Sequence, residues 1–140
     1  MHRAIVSISI LIAACFAVCL VAAASRSVWD GVYTKEQAGR GKAIYLQECQ
    51  KCHGENLAGG EAAPPLVGAE FLRSWNGKTA GALYENLRKT MPSDDPGGLS
   101  TRQYADLVAY IFAGNDFPAG QKELDRDIAV LNEIQIETKR

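Results

Sequence analysis

In the stretch Gln47-Glu-Cys-Gln-Lys-Cys-His-Gly54, two cysteines stand three apart and a histidine follows the second: Cys49, Cys52 and His53. Four chemistries use such a group. A structural zinc site needs four ligands, and the adjacent pair Cys52-His53 makes an awkward chelate. A thioredoxin-type dithiol belongs at the start of a helix that follows a strand. A disulfide across two intervening residues closes a tiny loop and stabilises little. Covalent haem attachment uses every atom of the motif. One helical turn sets both thiols on one side, where they can add to the two vinyl groups of one haem, and the next residue points its imidazole at the iron.

The remaining sequence weighs these options. Met-His-Arg opens the chain, and Ala4 to Ala24 is almost wholly apolar and ends in Val-Ala-Ala-Ala-Ser. This is the layout of an export signal, with a small-x-small site at residues 22–24. Three fates of residues 1–24 stay open: cleavage after Ala24, retention as a membrane anchor, and lipid attachment at Cys15. All three deliver residues 25–140 outside the cytoplasm, to the periplasm or its equivalent, where haem is linked to such motifs. Any membrane contact is expected only through residues 1–24.

Beyond residue 24 the chain keeps two cysteines, one histidine (His53) and one methionine (Met91). Zinc therefore lacks ligands. The same segment has 14 basic against 16 acidic side chains, a balance that gives no sign of nucleic acid as a partner. Met91 lies 38 residues beyond His53, just before Pro92, which disfavours helical geometry at Met91. It is the candidate second axial ligand, against the alternative of a gap-filling core methionine. His/Met ligation raises the potential and leaves no open site. That points to an electron carrier and not to an enzyme. The rival is a ligand-binding or peroxidase-like haem protein with an open sixth site.

The elements that must hold these residues read as helices. Thr34 with Gln37 forms a capping-box pattern, and Ala38, Gly41, Tyr45 and Cys49 follow as one stripe. A loop rich in Gly, Ala and Pro spans 54–68, followed by an apolar knot of Phe71, Leu72 and Trp75. Thr79 opens a second helix to about Lys89, with Leu83, Tyr84 and Leu87 on one face. Ser100 and Gln103 open a third, ending near Gly114 and burying Tyr104, Leu107, Val108 and Ile111. The tail reads as a weak helix or an extended strap, and no stretch reads as a convincing strand. The fold class is all-α, three main helices and loops around one haem.

With Cys49-x-x-Cys52-His53, Pro64-Pro65-Leu66, Thr90-Met91-Pro92 and a last helix containing Leu107-Val-Ala-Tyr-Ile111, residues 34–114 resemble a class I, monohaem cytochrome c. The resemblance implies one covalent haem c anchored at Cys49 and Cys52, with His53 and Met91 on the iron. It implies that Pro64 offers its carbonyl to the other nitrogen of His53. It also implies that Gly41 and Tyr45 cross Tyr110 of the last helix. Leu66, Trp75, Leu83, Leu87 and Tyr84 would line the haem. Trp75 matches the indole that bonds a haem propionate, or else is a core tryptophan, and Lys78 or Arg73 near a propionate is a weaker match. Segments 25–33 and 115–140 exceed the minimal domain and resemble extensions on cytochromes that partner periplasmic dehydrogenases. The implied partners are an electron donor and an acceptor, such as a dehydrogenase and an oxidase or another cytochrome.

Overall fold

The computed structural model describes residues 25–139. Residues 1–24, with the expected export segment, and Arg140 lie outside the described residues. No helix among the described residues is long and apolar enough to cross a membrane.

Helix α1 (Lys35–Glu48) starts where Thr34 Oγ1 accepts from the Gln37 amide at 3.1 Å. The expected reciprocal bond from the Gln37 side chain does not form. That side chain is buried against the tail instead: Nε2 donates to the Leu124 carbonyl at 3.0 Å, and Oε1 accepts from the Leu124 amide at 2.7 Å. Two bonds to a buried backbone, which water cannot replace, outweigh one at the helix start. Helix α2 (Gln50–His53) follows after a break at Cys49, which ends α1.

The last long helix, α5 (Thr101–Gly114), begins with the reciprocal Ser100–Gln103 cap that the sequence predicts. It crosses α1 at Gly41. A β-carbon there would run into the Asp106 carbonyl and sit 2.9 Å from Tyr110 Cβ, so only glycine lets the helices approach this closely. The rings of Tyr45 and Tyr110 meet beside it, 5.3 Å apart. Buried Asp106 turns outward to Arg40, which holds both of its oxygens and reaches Glu123 of the tail at 2.8 Å.

Between these helices lie α3 (Gly68–Trp75) and α4 (Ala80–Thr90). Phe71, Leu72 and Trp75, an apolar knot in the sequence, lie on α3, a helix of about two turns that the sequence does not announce. Val67 offers no capping side chain. The acceptor for the Gly68 amide comes from Asn115, at the far end of α5 (3.0 Å). Helix α4 starts at its expected Thr79 cap and ends at Met91, whose backbone is extended (φ −130°, ψ 150°).

The tail packs on α5 through Phe117 and then runs along α4. It makes a single turn, α6 (Ile128–Leu131), then strand β2 (Ile134–Gln135), parallel to β1 (Arg26–Ser27), with Arg26 opposite Ile134. This two-residue ladder corrects the strandless expectation; so short a pairing carries no alternating pattern to read. Because Tyr33 and Phe117 pack on Phe112, α5 is buried on nearly all faces, not on the single face its periodicity predicts. Leu131, Ile134 and Ile136 enter the core, while Ile128 stays exposed.

Candidate haem site

A cavity of about 530 Å³ lies among α1, α2, α3, α4 and α5. Cys49, Cys52, His53, Pro64, Leu66, Trp75 and Met91 all line it. No group of three or more His, Cys, Asp or Glu side chains suited to a metal ion gathers elsewhere or here among the described residues.

The thiols enter from the α1–α2 junction. Cys49 is half-buried, Cys52 is exposed, and both are free. The Cys49 and Cys52 turn is one hydrogen-bonded unit, with the Cys52 and His53 amides both donating to the Cys49 carbonyl (3.2 and 3.0 Å). Burial, with smaller contributions from Glu48 and Cys52, pushes the Cys49 thiol up to about 11.

His53 is buried, and its Nδ1 lies 3.0 Å from the Pro64 carbonyl oxygen. That oxygen can only accept, so Nδ1 carries the proton and Nε2 keeps its lone pair for a metal. The loop between them is folded to deliver this contact. Gly59 donates to the His53 carbonyl at 2.8 Å, and Leu66 donates to the Leu57 carbonyl at 2.7 Å. Gly59 has φ +77°, and a β-carbon there would lie 2.6 Å from Pro65 N. Glycine is required on both counts. Asn115 completes the support: its Nδ2 donates to the carbonyls of Leu66 (2.9 Å) and Ile111 (2.8 Å).

Met91 reaches the cavity from the end of α4, its amide donating to the Leu87 carbonyl at 2.9 Å. Leu66, Leu83 and Leu87 supply apolar wall, together with Phe71, Leu107 and Ile111, which the sequence did not single out for this role. Trp75 is half-buried in the wall, stacked on Phe71, with Lys78 Nζ 4.9 Å from its ring centre. One sequence expectation is corrected. Tyr84 does not line the cavity; its ring is turned to Tyr104 and its hydroxyl donates to the Thr101 carbonyl. Of the alternatives Lys78 and Arg73, Lys78 lines the cavity.

These residues fit haem c. The volume is that of a small-molecule site. The wall is apolar, and the donor set is two free thiols, one imidazole with a free nitrogen and one thioether. An all-α fold with this site defines a c-type cytochrome. The family model described as cytochrome c oxidase, cbb3-type, subunit III matches residues 36–111, more than half of the chain, and the chain belongs to that family. It is a monohaem c-type cytochrome, an electron-transfer protein with one covalent haem c. No curated protein matches it. Among solved structures, it is similar to a chain of the sulfane dehydrogenase SoxCD from Paracoccus pantotrophus. Identity is 20%, the TM-score is 0.47, and 64% of this chain and 53% of that chain are covered. The chain thus spans about half the length of that relative.

Proposed function

We propose that the protein carries single electrons outside the cytoplasm, with its iron closed between His53 and Met91 and its haem anchored through Cys49 and Cys52. One observation carries this reading: both thiols, the Pro64-bound His53 and Met91 face one apolar cavity. Haem held there supplies a one-electron iron couple. The Pro64 carbonyl fixes the His53 tautomer and raises the basicity of Nε2. Leu66, Leu83 and Leu87 exclude water, and Trp75 with Lys78 forms a polar lip suited to a propionate. His53 and Met91 would both ligate the iron, which would leave no open position for substrate, so the proposed role is carrier and not enzyme.

Residues 34–114 form the proposed haem-binding unit, with 25–33 and 115–140 as extensions and 1–24 as the export or anchoring segment. A periplasmic dehydrogenase is the proposed donor, and an oxidase or another cytochrome the proposed acceptor. The family's own description, which names an oxidase subunit, supports the latter.

The test is a visible spectrum of the exported, haem-loaded protein, oxidised and reduced, with carbon monoxide added to the reduced form. The expected result is the weak far-red band of methionine-bound ferric iron and no ready response to carbon monoxide. A spectrum that shifts readily with carbon monoxide would replace this reading with an open sixth site.

A further inference from the structure

Methionine has three rotatable side-chain bonds and little shape of its own, so its sulfur is positioned only as well as its backbone is held. The Met91 backbone is held at both polar groups, by two different helices. Its amide donates to the Leu87 carbonyl of α4 at 2.9 Å, and its carbonyl accepts from the Tyr104 hydroxyl of α5 at 2.7 Å. The loop that follows is closed by its own turns, Asp95 to Pro92 and Gly98 to Asp95, both at 3.0 Å. Tyr104 is therefore the point at which the end of α4 is tied across to α5.

Tyr104 is itself well fixed. It is buried, its amide donates to the Ser100 carbonyl at 3.1 Å, and its ring meets Tyr84 edge-on at 6.4 Å. The reciprocal Ser100–Gln103 cap anchors the helical turn from which it projects. Tyr84 supplies a natural comparison. It is equally buried and packs on the same ring, but its hydroxyl goes to Thr101.

We infer that Tyr104 is a positioning residue for the axial sulfur: by holding the Met91 carbonyl, its hydroxyl keeps the thioether in the cavity and the sixth position closed. This rests on the reading of Met91 as axial ligand. Loss of the hydroxyl frees the Met91 peptide to swing with its loop, and the sulfur leaves the iron more often.

The experiment compares haem-loaded wild type, Y104F and Y84F by the ferric far-red band and by the rate at which the reduced proteins bind carbon monoxide. In Y104F the band weakens and carbon monoxide binds about tenfold faster, the change that loss of one hydrogen bond sets. In Y84F both stay at wild-type values even where its melting temperature falls. Should Y104F fail to fold, 4-aminophenylalanine at position 104 keeps a weaker donor on a similar ring, and its rate falls between wild type and tenfold. A wild-type band with unchanged rates in the position-104 variants, or equal changes in Y104F and Y84F, would overturn the role of Tyr104 alone. A wild type with no far-red band would overturn it together with the Met91 ligand.

Discussion

The Asn115 side chain donates to the carbonyl of Leu66, 49 positions earlier in the chain, at 2.9 Å. The same amide group donates to Ile111, and its oxygen accepts from the Gly68 amide. One residue therefore ties the end of α5 to the start of α3 and to the segment that presents the Pro64 carbonyl to His53. Replacing Asn115 with Ala removes three bonds and should destabilise the holoprotein by about 2 kcal/mol. Thermal unfolding checks this, with a fall in Tm of roughly 5–10 °C for a chain of this size. Asn115→Asp keeps the acceptor for Gly68 and loses both donors. It should therefore lose most of the stability that the alanine variant loses.

Two glycines of α1 make opposite predictions. At Gly41 a β-carbon meets backbone of α5, which has no way to yield, while at exposed Gly39 it meets nothing within 4 Å. G41A should cost about 3 kcal/mol or more and prevent the α1–α5 crossing from closing. G39A should stabilise by up to about 1 kcal/mol through helix propensity alone. Urea unfolding of the two variants side by side tests the crossing. Equal effects would mean that Gly41 is not where the helices touch.

How much of this could be read from the chain depends on where each interaction closes. Thr34, Thr79 and Ser100 cap helices through amides three residues away, so their helices are legible from spacing. Helix α3 is not, because its start is satisfied by Asn115 from a distant part of the chain. The stripe Leu83, Tyr84, Leu87 reads as one apolar face, yet it serves two neighbours. Leu83 and Leu87, four apart, face the cavity, and Tyr84, about 100° around the helix, faces Tyr104. The cavity residues Phe71, Leu107 and Ile111 carry no polar signal that separates them from ordinary core. The same holds for the Tyr104 hydroxyl, whose partner is a main-chain oxygen.

The Tyr45 phenol gives a pH prediction. It is buried and donates to the Gly54 carbonyl beside the cysteine–histidine turn, and burial, with Cys49 and Tyr110 adding, pushes it up to about 12. The folded state thus holds this proton more tightly than the unfolded chain, where tyrosine titrates near ~10. Its contribution is complete below pH ~10 and declines as pH rises toward the folded value of about 12, by up to about 1.4 kcal/mol per unit. Y45F loses the Gly54 bond and should be about 1 kcal/mol less stable at pH 7. Urea midpoints at pH 7, 10 and 11 should show the gap between wild type and Y45F narrowing as pH rises. A gap that stays constant would place the alkaline loss in other groups.

The proposed anchors differ in exposure, Cys52 at the surface and Cys49 half-buried, and each should hold haem without the other. C52A should therefore keep haem on the polypeptide through a denaturing gel, by one thioether at Cys49, with a red-shifted absorption band from the remaining vinyl group. The double variant C49A/C52A should lose haem on denaturation and to acidic organic solvent. The consequence for folding is large, because a cavity of about 530 Å³ walled by leucines and aromatics is then left without its occupant. Ligand binding stabilises only the state that binds, so the haem-free double variant should show reduced helical circular dichroism and no cooperative melt. Haem retained by the double variant through a denaturing gel would put the covalent bond elsewhere. A haem-free protein that melts cooperatively at the holoprotein's temperature would mean that the helices pack without the cofactor, and that the cavity is a preformed receptor.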